Sequence, residues 1–313
     1  MKTYRLEYLN RPVQQVILIW MFWIAFIHPA LNAAADTSSS DDANLQPLNV
    51  VFDRLHFSEI NHNDAVAALT VLARNFSQSV NADMDVEISS YDTADSLIGI
   101  LDTENADLVI IHAKKYFQIP KRLRDQLEPI YITRIERAGP MGAYHLLAPE
   151  SSGISGWADV AGKELLILKS YRCHLTSDWF KQSLEQNGVA EDSVRTETVD
   201  AVSNAILPVF FGKADACVVS DEAYVLMKEL NPQIGKKLLP VETSPSFAEV
   251  IICLNQDFRN DRQLLIDSVQ YMHLNPSGEQ VMMLFKISQL VPFEERFLDN
   301  VQQLLSDTNQ SPN

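Results

Sequence analysis

The sequence predicts an α/β protein of two similar lobes, each a mostly parallel sheet flanked by helices. Three observations predict it. From Leu48 to Leu254, short strand-forming runs alternate with segments whose apolar residues recur at helical spacing. Several runs, Asp107–Ile111 (DLVII), Glu164–Leu168 (ELLIL) and Ala214–Val219 (ADACVV), are apolar almost without a break, as a parallel strand buried on both faces reads. One passage also occurs twice: Leu101 to Ile110 and Phe211 to Val219 each run from a helix end through a short turn and an Ala-Asp pair into an apolar strand. Two copies do not make a solenoid; they are what two related α/β lobes produce.

The chain opens with Lys2, Arg5 and Arg11, continues with the apolar run Val16–Ile27, and reaches Pro29 and Ala33-Ala34-Ala35. Basic start, apolar core and small residues, in that order, predict a secretory signal peptide over residues 1–35. The apolar run is shorter than the roughly 20 residues that span a bilayer. The long leader, with Glu7 in it, leaves an uncleaved signal-anchor as the alternative. In both cases the rest of the chain faces an exported compartment. Residues 36–47, including the polar stretch Ser38–Pro47, read as a linker.

Leu48–Phe52 is the first strand. A helix capped by Asn63 or Asp64 follows, carrying Ala65, Ala68, Leu69, Leu72 and Phe76. Val86–Ile88 is a short strand, Asp92 or Thr93 caps a helix with Leu97, Ile98 and Leu101, and Asp107–Ile111 is a buried strand. Tyr144–Leu147 leads away from the first lobe. The second lobe then has a strand at Glu164–Leu168, a helix capped by Thr176 or Ser177 through Trp179, Phe180 and Leu184, and a strand at Thr196–Val199. Asp200 caps a helix through Val202, Ile206 and Phe210, and Ala214–Val219 is again a buried strand. Val250–Leu254 closes the alternation, and the tail predicts three helices near 261–273, 277–287 and 293–305. Lobe one is thus expected at 48–141 plus 249–313 and lobe two at 142–248, with crossings near 140–143 and 246–250.

The full chain carries a net charge of −16. Removing the leader takes away Lys2, Arg5, Arg11 and Glu7, which lowers Lys+Arg from 25 to 22 and Asp+Glu from 41 to 40, a net charge of −18. A chain this acidic repels nucleic acid and anionic membrane surfaces. A small anionic ligand remains compatible, because local dipoles dominate inside a cleft. Cys173, Cys217 and Cys253 are odd in number and match no zinc spacing. Cys217 and Cys253 lie in apolar strand-like runs and read as buried free thiols, whereas Cys173, among polar residues, is the candidate exposed one.

Four stretches carry a resemblance to a known family. Gly153 to Leu165 (GISGWADVAGKEL) is similar to a segment in which a short helical turn reads Asp-Leu-x-Gly-Lys before the next strand. The Asp-containing strands Asp107-Leu108-Val109 and Asp215-Ala216-Cys217 match in form, and Glu242–Ser246 leading into Val250–Leu254 resembles the return crossing. The chain resembles the periplasmic solute-binding proteins of the phosphate/phosphonate type, with the type II two-lobe architecture. The resemblance implies a monomeric periplasmic protein that closes on a small ligand by hinge motion and delivers it to the membrane permease of an ABC importer. The same fold also serves as the sensing module of a membrane signalling partner. The family often places a Ser-Thr-Ser-Gly run at the start of the lobe-two helix. Here that stretch reads Ser170-Tyr171-Arg172-Cys173-His174-Leu175-Thr176-Ser177.

In such a fold, ligands bind beyond the carboxyl ends of the strands. Those ends are Asp53-Arg54 with Asn61–Asp64, Ser89-Ser90-Tyr91 and His112 in lobe one, and Ser170–Ser177, Asp200 and Ser220-Asp221 in lobe two. The candidate ligand-binding residues are Tyr91, His112, Ser170, Tyr171, Arg172, Thr176, Ser177 and Asp221. Free N–H groups at a helix start attract an oxyanion, Arg172 and Arg54 offer charge-assisted bonds, and Tyr91 and Tyr171 offer cover for an organic moiety. Each has a structural alternative: Thr176, Ser177 and Asp200 as helix caps, Asp221 as a helix opener rather than an ammonium ligand, His112 as a core histidine, and Arg172 as a surface side chain. No G-x-S-x-G, H-E-x-x-H or P-loop occurs, and His145, His174 and His273 are scattered. Asp41-Asp42 and Glu294-Glu295 read as solvated. No catalytic residue, metal or cofactor is assigned.

Overall fold

A computed structural model describes residues 47–57, 62–79, 85–103, 106–135, 139–169, 173–258 and 262–310. The predicted leader, and the linker up to residue 46, lie outside the described residues. Among the described residues no helix is long and apolar enough to cross a membrane.

The first stretch of chain forms β1 (Leu48–Asp53), α1 (His62–Ser79), β2 (Val86–Tyr91), α2 (Ala94–Thr103), β3 (Leu108–His112), α3 (Ala113–Gln118), α4 (Lys121–Arg124) and β4 (Leu127–Ile135). The second forms β5 (Tyr144–Pro149), β6 (Glu164–Leu168), α5 (Thr176–Gln186), β7 (Arg195–Val199), α6 (Val202–Phe210), β8 (Ala216–Ser220), α7 (Asp221–Leu230), α8 (Pro232–Lys237) and β9 (Leu238–Thr243). The chain then returns through β10 (Val250–Asn255), α9 (Arg262–Gln270), α10 (Pro276–Leu284), β11 (Ile287–Pro292) and α11 (Asp299–Gln310).

Two sheets result, ordered β11-β4-β10-β3-β1-β2 and β7-β6-β8-β5-β9. Pairing is parallel within β2-β1-β3 and β7-β6-β8. The remaining neighbours are antiparallel. The expected two-lobe α/β fold is present, and each lobe has a parallel three-stranded core widened by antiparallel strands. The antiparallel pairs follow from connectivity: β5 and β10 enter their sheets straight from the other lobe, without the helical crossover that a parallel partner requires. Val109, Ile111, Val218 and Val219 on β3 and β8 are 0% exposed; full burial of such side chains stabilises by about 1.5–3 kcal/mol each.

The tail differs from expectation. Residues 287–292, of which only Ile287 falls in a predicted helix and the rest between two predicted helices, form edge strand β11 on β4. Cys217 and Cys253 are buried free thiols as expected, but Cys173 is buried too. α11 packs against both α3 and α5. It buries Val301 and Leu304, accepts Gln182 Nε2 on Asp307 Oδ2 at 2.9 Å, and donates from Asn300 Nδ2 to the Ser246 carbonyl at 2.9 Å.

The chain crosses between the sheets twice, and the crossings pair with each other. Gly142 N donates to the Phe247 carbonyl at 3.0 Å, and Phe247 N returns the bond at 2.7 Å.

Candidate functional site

Parallel strands bring their carboxyl ends to one edge of a sheet. β1, β2 and β3 end at Asp53, Tyr91 and His112, with Asp53 opposite Tyr91 in register. In the other sheet β8 ends at Ser220, opposite Tyr144 at the start of β5. The second crossing delivers Glu249 beside the first sheet, where Ala113 N donates to its carbonyl at 3.0 Å.

Asp53 is fully buried. Its Oδ2 lies 2.7 Å from His112 Nδ1, and its Oδ1 accepts from Lys115 Nζ at 2.8 Å and from Leu55 N at 3.0 Å. A carboxylate at this depth is tolerated only with such partners. Lys115 also donates to the Asp92 carbonyl at 2.6 Å and stands 5.4 Å from the Tyr91 ring centre. Burial, and after it the facing His174, hold His112 below the ordinary histidine range against the pull of Asp53 and Glu249. The His112 ring is therefore neutral near pH 7, and the carboxylate beside Nδ1 assigns its proton to that nitrogen.

His174 arrives from lobe two, in the turn before α5. Its ring meets His112 edge-on with centroids 4.6 Å apart, and its Nδ1 lies 2.9 Å from Glu249 Oε2. That approach lacks hydrogen-bond direction: both atoms, together with His174 Nε2 and Thr176 Oγ1, are buried without a hydrogen-bond partner. The contact is electrostatic rather than a formed hydrogen bond. Glu249 Oε1, by contrast, accepts from the Tyr144 hydroxyl at 2.9 Å. Burial, reinforced by the Glu249 charge, raises the Tyr144 hydroxyl well above its ordinary value, so it stays a donor. Asp221 is raised chiefly by burial, with Glu222 and Glu249 adding to it against the backbone bonds it receives. Gly142 lies beside both acids: a Cβ there would be 3.6 Å from Asp221 Oδ1 and 3.9 Å from Glu249 Oε1. A second ionic contact joins the lobes, Lys114 Nζ to Asp178 Oδ2 at 2.6 Å.

The sequence-predicted residues divide. His112, Thr176 and Asp221 fall within or beside this buried polar cluster. Thr176 is not a cap, because the cap position is Leu175, with helical dihedrals and no side-chain bond; the hydroxyl is left without a partner instead. Asp221 opens α7 behind the Ser220 cap. Tyr91 is 2% exposed, and its hydroxyl donates to the Ile110 carbonyl at 3.2 Å, so it supports the sheet end rather than covering a ligand. Ser177 and Asp200 are exposed; Ala201 occupies the cap position that Asp200 was expected to fill. Arg54 pairs with Asp92 at 3.3 Å on the surface. Ser170, Tyr171, Arg172 and Asn61 lie outside the described residues. Sequence reasoning left Lys115, Tyr144, His174 and Glu249 out of the site. The available signals were a charged residue directly before the apolar β10 run and a histidine directly before a predicted helix.

Among the described residues no three or more His, Cys, Asp or Glu are arranged to hold a metal ion. A separate cavity of about 350 Å³ lies against the start of α1, lined by Phe52, Asn63, Val66, Ile88, Ser89 and Ser90 among others. Where the two lobes meet, the cluster thus holds buried polar atoms of His174, Thr176 and Glu249 that make no hydrogen bond.

Comparison with protein families gives one match over residues 57–296, to the family described as the ABC transporter, phosphonate, periplasmic substrate-binding protein. Comparison with curated proteins gives no match. Solved structures share the fold at low identity. A protein from Xanthomonas citri solved with bound chloride has a TM-score of 0.62 and 14% identity, covering 84% of this chain and 97% of its own. A binding-protein component of an ABC phosphonate transporter from Pseudomonas aeruginosa has a TM-score of 0.55 and 14% identity, covering 85% of this chain and 87% of its own. PhnD1 from Prochlorococcus marinus, in complex with methylphosphonate, has a TM-score of 0.53 and 15% identity, covering 84% and 98%.

Proposed function

Because the chain belongs to the periplasmic substrate-binding proteins of phosphonate ABC transporters, we propose that it captures a small oxyanion, of the phosphonate or phosphate type, between its lobes. It then hands the ligand to the permease of an ABC importer. One observation carries this reading. The strand ends of both sheets converge on a buried cluster in which His174 Nε2 and Thr176 Oγ1, at the start of α5, have no hydrogen-bond partner. Buried polar atoms of this kind cost about 1–3 kcal/mol each until they are satisfied, and a helix start favours an anion.

In this reading lobe one comprises 48–141 and 249–313, and lobe two 142–248. The paired crossings at Gly142 and Phe247 are the hinge. His112, His174, Thr176 and Asp221 line the closed site, and Ser170, Tyr171 and Arg172, outside the described residues, are further ligand contacts of this reading. The protein acts as a monomer without catalysis, and the net charge of −16 keeps nucleic acid away. Export removes the leader, which intact-mass measurement of the exported protein checks as a loss of residues 1–35.

Thermal melts with methylphosphonate, phosphate and amino acids test the ligand class. A cognate ligand at 100 times its Kd should stabilise by about 2.7 kcal/mol. Stabilisation by amino acids, with none by any phosphorus oxyanion, would overturn the reading.

A further inference from the structure

Resting on the hinge reading above, we propose that α11 travels with lobe two. Residues 142–248 and 299–310 close as one body, and residues 293–298 form a third crossing beside the other two.

Chain order counts α11 with lobe one, because it follows β11 of the six-stranded sheet. Its contacts place it elsewhere. The chain is last held by that sheet at Phe293, whose N donates to the Ile130 carbonyl on β4 at 2.9 Å. One 3-10 turn, Glu295–Phe297, follows. α11 then lies along α5 of lobe two and, less extensively, against α3 of lobe one. Its side-chain bonds single out lobe two and the hinge. Asp307 Oδ2 accepts from Gln182 Nε2 on α5 at 2.9 Å. Asn300 Nδ2, in the first turn of α11, donates to the Ser246 carbonyl at 2.9 Å. Ser246 directly precedes Phe247, which is paired with Gly142. The start of α11 therefore lies beside the two paired crossings, where a third connection can bend with them.

Burial decides which lobe keeps the helix. α11 is held by one apolar side, since Gln302, Gln303 and Asp307 face solvent. On that side Val301 and Leu304 are 0% and 2% exposed. They share an apolar cluster with Trp179 and Phe180 of α5 and with Tyr116 of α3. Separating α11 from α5 uncovers more apolar surface than separating it from α3, and the cost of opening scales with that area. The lobes therefore part along α3. The Lys114–Asp178 pair between α3 and α5, 2.6 Å long, lies on the same boundary and breaks with it. α3 begins directly after His112, and α5 begins two residues after His174. A helix fixed to α5 and closing on α3 thus sets how the two imidazoles meet without touching a ligand. The short link at 293–298 also limits how far the lobes can part, because a chain segment cannot exceed its extended length.

Spin-label distances on the full chain test this. Labels go in pairs on Gln126→Cys in lobe one, Gln186→Cys on α5 and Gln303→Cys on α11, all exposed positions. The native Cys173, Cys217 and Cys253 are buried. With saturating methylphosphonate the 126–186 and 126–303 distances should change together, while 186–303 stays constant to within about 2 Å, the scale that separates rigid pieces from rearranged ones. A 126–303 distance that stays fixed while 126–186 changes puts α11 in lobe one. That result, or a larger change at 186–303, overturns the proposal and leaves hinge closure intact. The ligand-free chain gives a second reading that does not depend on methylphosphonate binding. Lobes that open and close broaden the 126–186 distribution, and α11 riding on lobe two broadens 126–303 equally while 186–303 stays narrow. A narrow 126–303 beside a broad 126–186 overturns the proposal. Three narrow distributions that no ligand shifts remove the hinge reading and this inference together.

Discussion

The two lobes bring polar groups to the same place in opposite conditions. At the lobe-one strand ends each polar group has found a protein partner: Asp53 holds His112 and Lys115, and Tyr91 donates to Ile110. At the start of α5 in lobe two, His174 and Thr176 are buried with side-chain atoms unmet. The difference teaches that the strand ends of lobe one form a finished platform whose network holds its own fold, while the start of α5 in lobe two carries polar atoms that the protein leaves without a hydrogen bond. A ligand should therefore be felt as affinity in lobe two, and damage to the network should be felt as stability in lobe one.

The largest break in that comparison is Asp53→Ala. It strands the buried His112 and Lys115, and loss of one partner from a buried ionic network costs about 3–5 kcal/mol; denaturant unfolding should show a loss of that order. A loss below about 1 kcal/mol would mean that lobe one does not depend on its platform. Thr176→Val is the opposite case. The hydroxyl makes no hydrogen bond in the protein, so unfolding stability should be unchanged or slightly raised, while methylphosphonate affinity falls about tenfold, or 1.4 kcal/mol. A stability loss without an affinity loss would make Thr176 structural.

Acidification sharpens the contrast further. The folded pKa of His112 is lowered, so the folded state binds fewer protons than the unfolded chain. Its contribution to stability is full above the ordinary value of about 6.5 and is lost as pH falls below it. Between pH 7 and 5.5 the unaltered protein should lose stability relative to His112→Gln, at no more than about 1.4 kcal/mol per pH unit. Parallel pH profiles of the two chains would contradict this. The smallest effect belongs to Arg54→Ala, whose partner Asp92 is 63% exposed; it should cost less than about 1 kcal/mol and leave affinity alone. A larger affinity loss would move the site toward the surface of lobe one.

The parallel cores were legible in the sequence because strands buried on both faces read as unbroken apolar runs, as at Asp107–Ile111 and Ala214–Val219. Strands covered on one side were not. Leu238–Thr243 and Ile287–Pro292 each expose half of their residues and include a proline, so neither alternation nor apolarity marked them. Strand ends located His112 and Asp221, since the carboxyl-end rule needs only the strands. The His174–Glu249 contact was not legible, because these residues come from different lobes and only the crossing geometry unites them. Cys173 misled for the same reason: polar sequence neighbours say nothing about what packs over a side chain from across the fold.

The position of β10, between β4 and β3 in its sheet, has a consequence for the order in which the molecule can be made. All of β5 to β9 is synthesised before Val250 appears, so the five-stranded sheet is complete in sequence while the six-stranded one still lacks its centre. Until then β3 is a bare apolar edge, and β4 has neither β10 nor β11 beside it. Pairings between residues this far apart in the chain form late and slowly, and unpaired edges are where chains associate wrongly. A chain stalled or cut before Val250 therefore holds one lobe that can close its sheet and one that cannot, which makes the last fifth of the sequence the part on which safe folding after export depends.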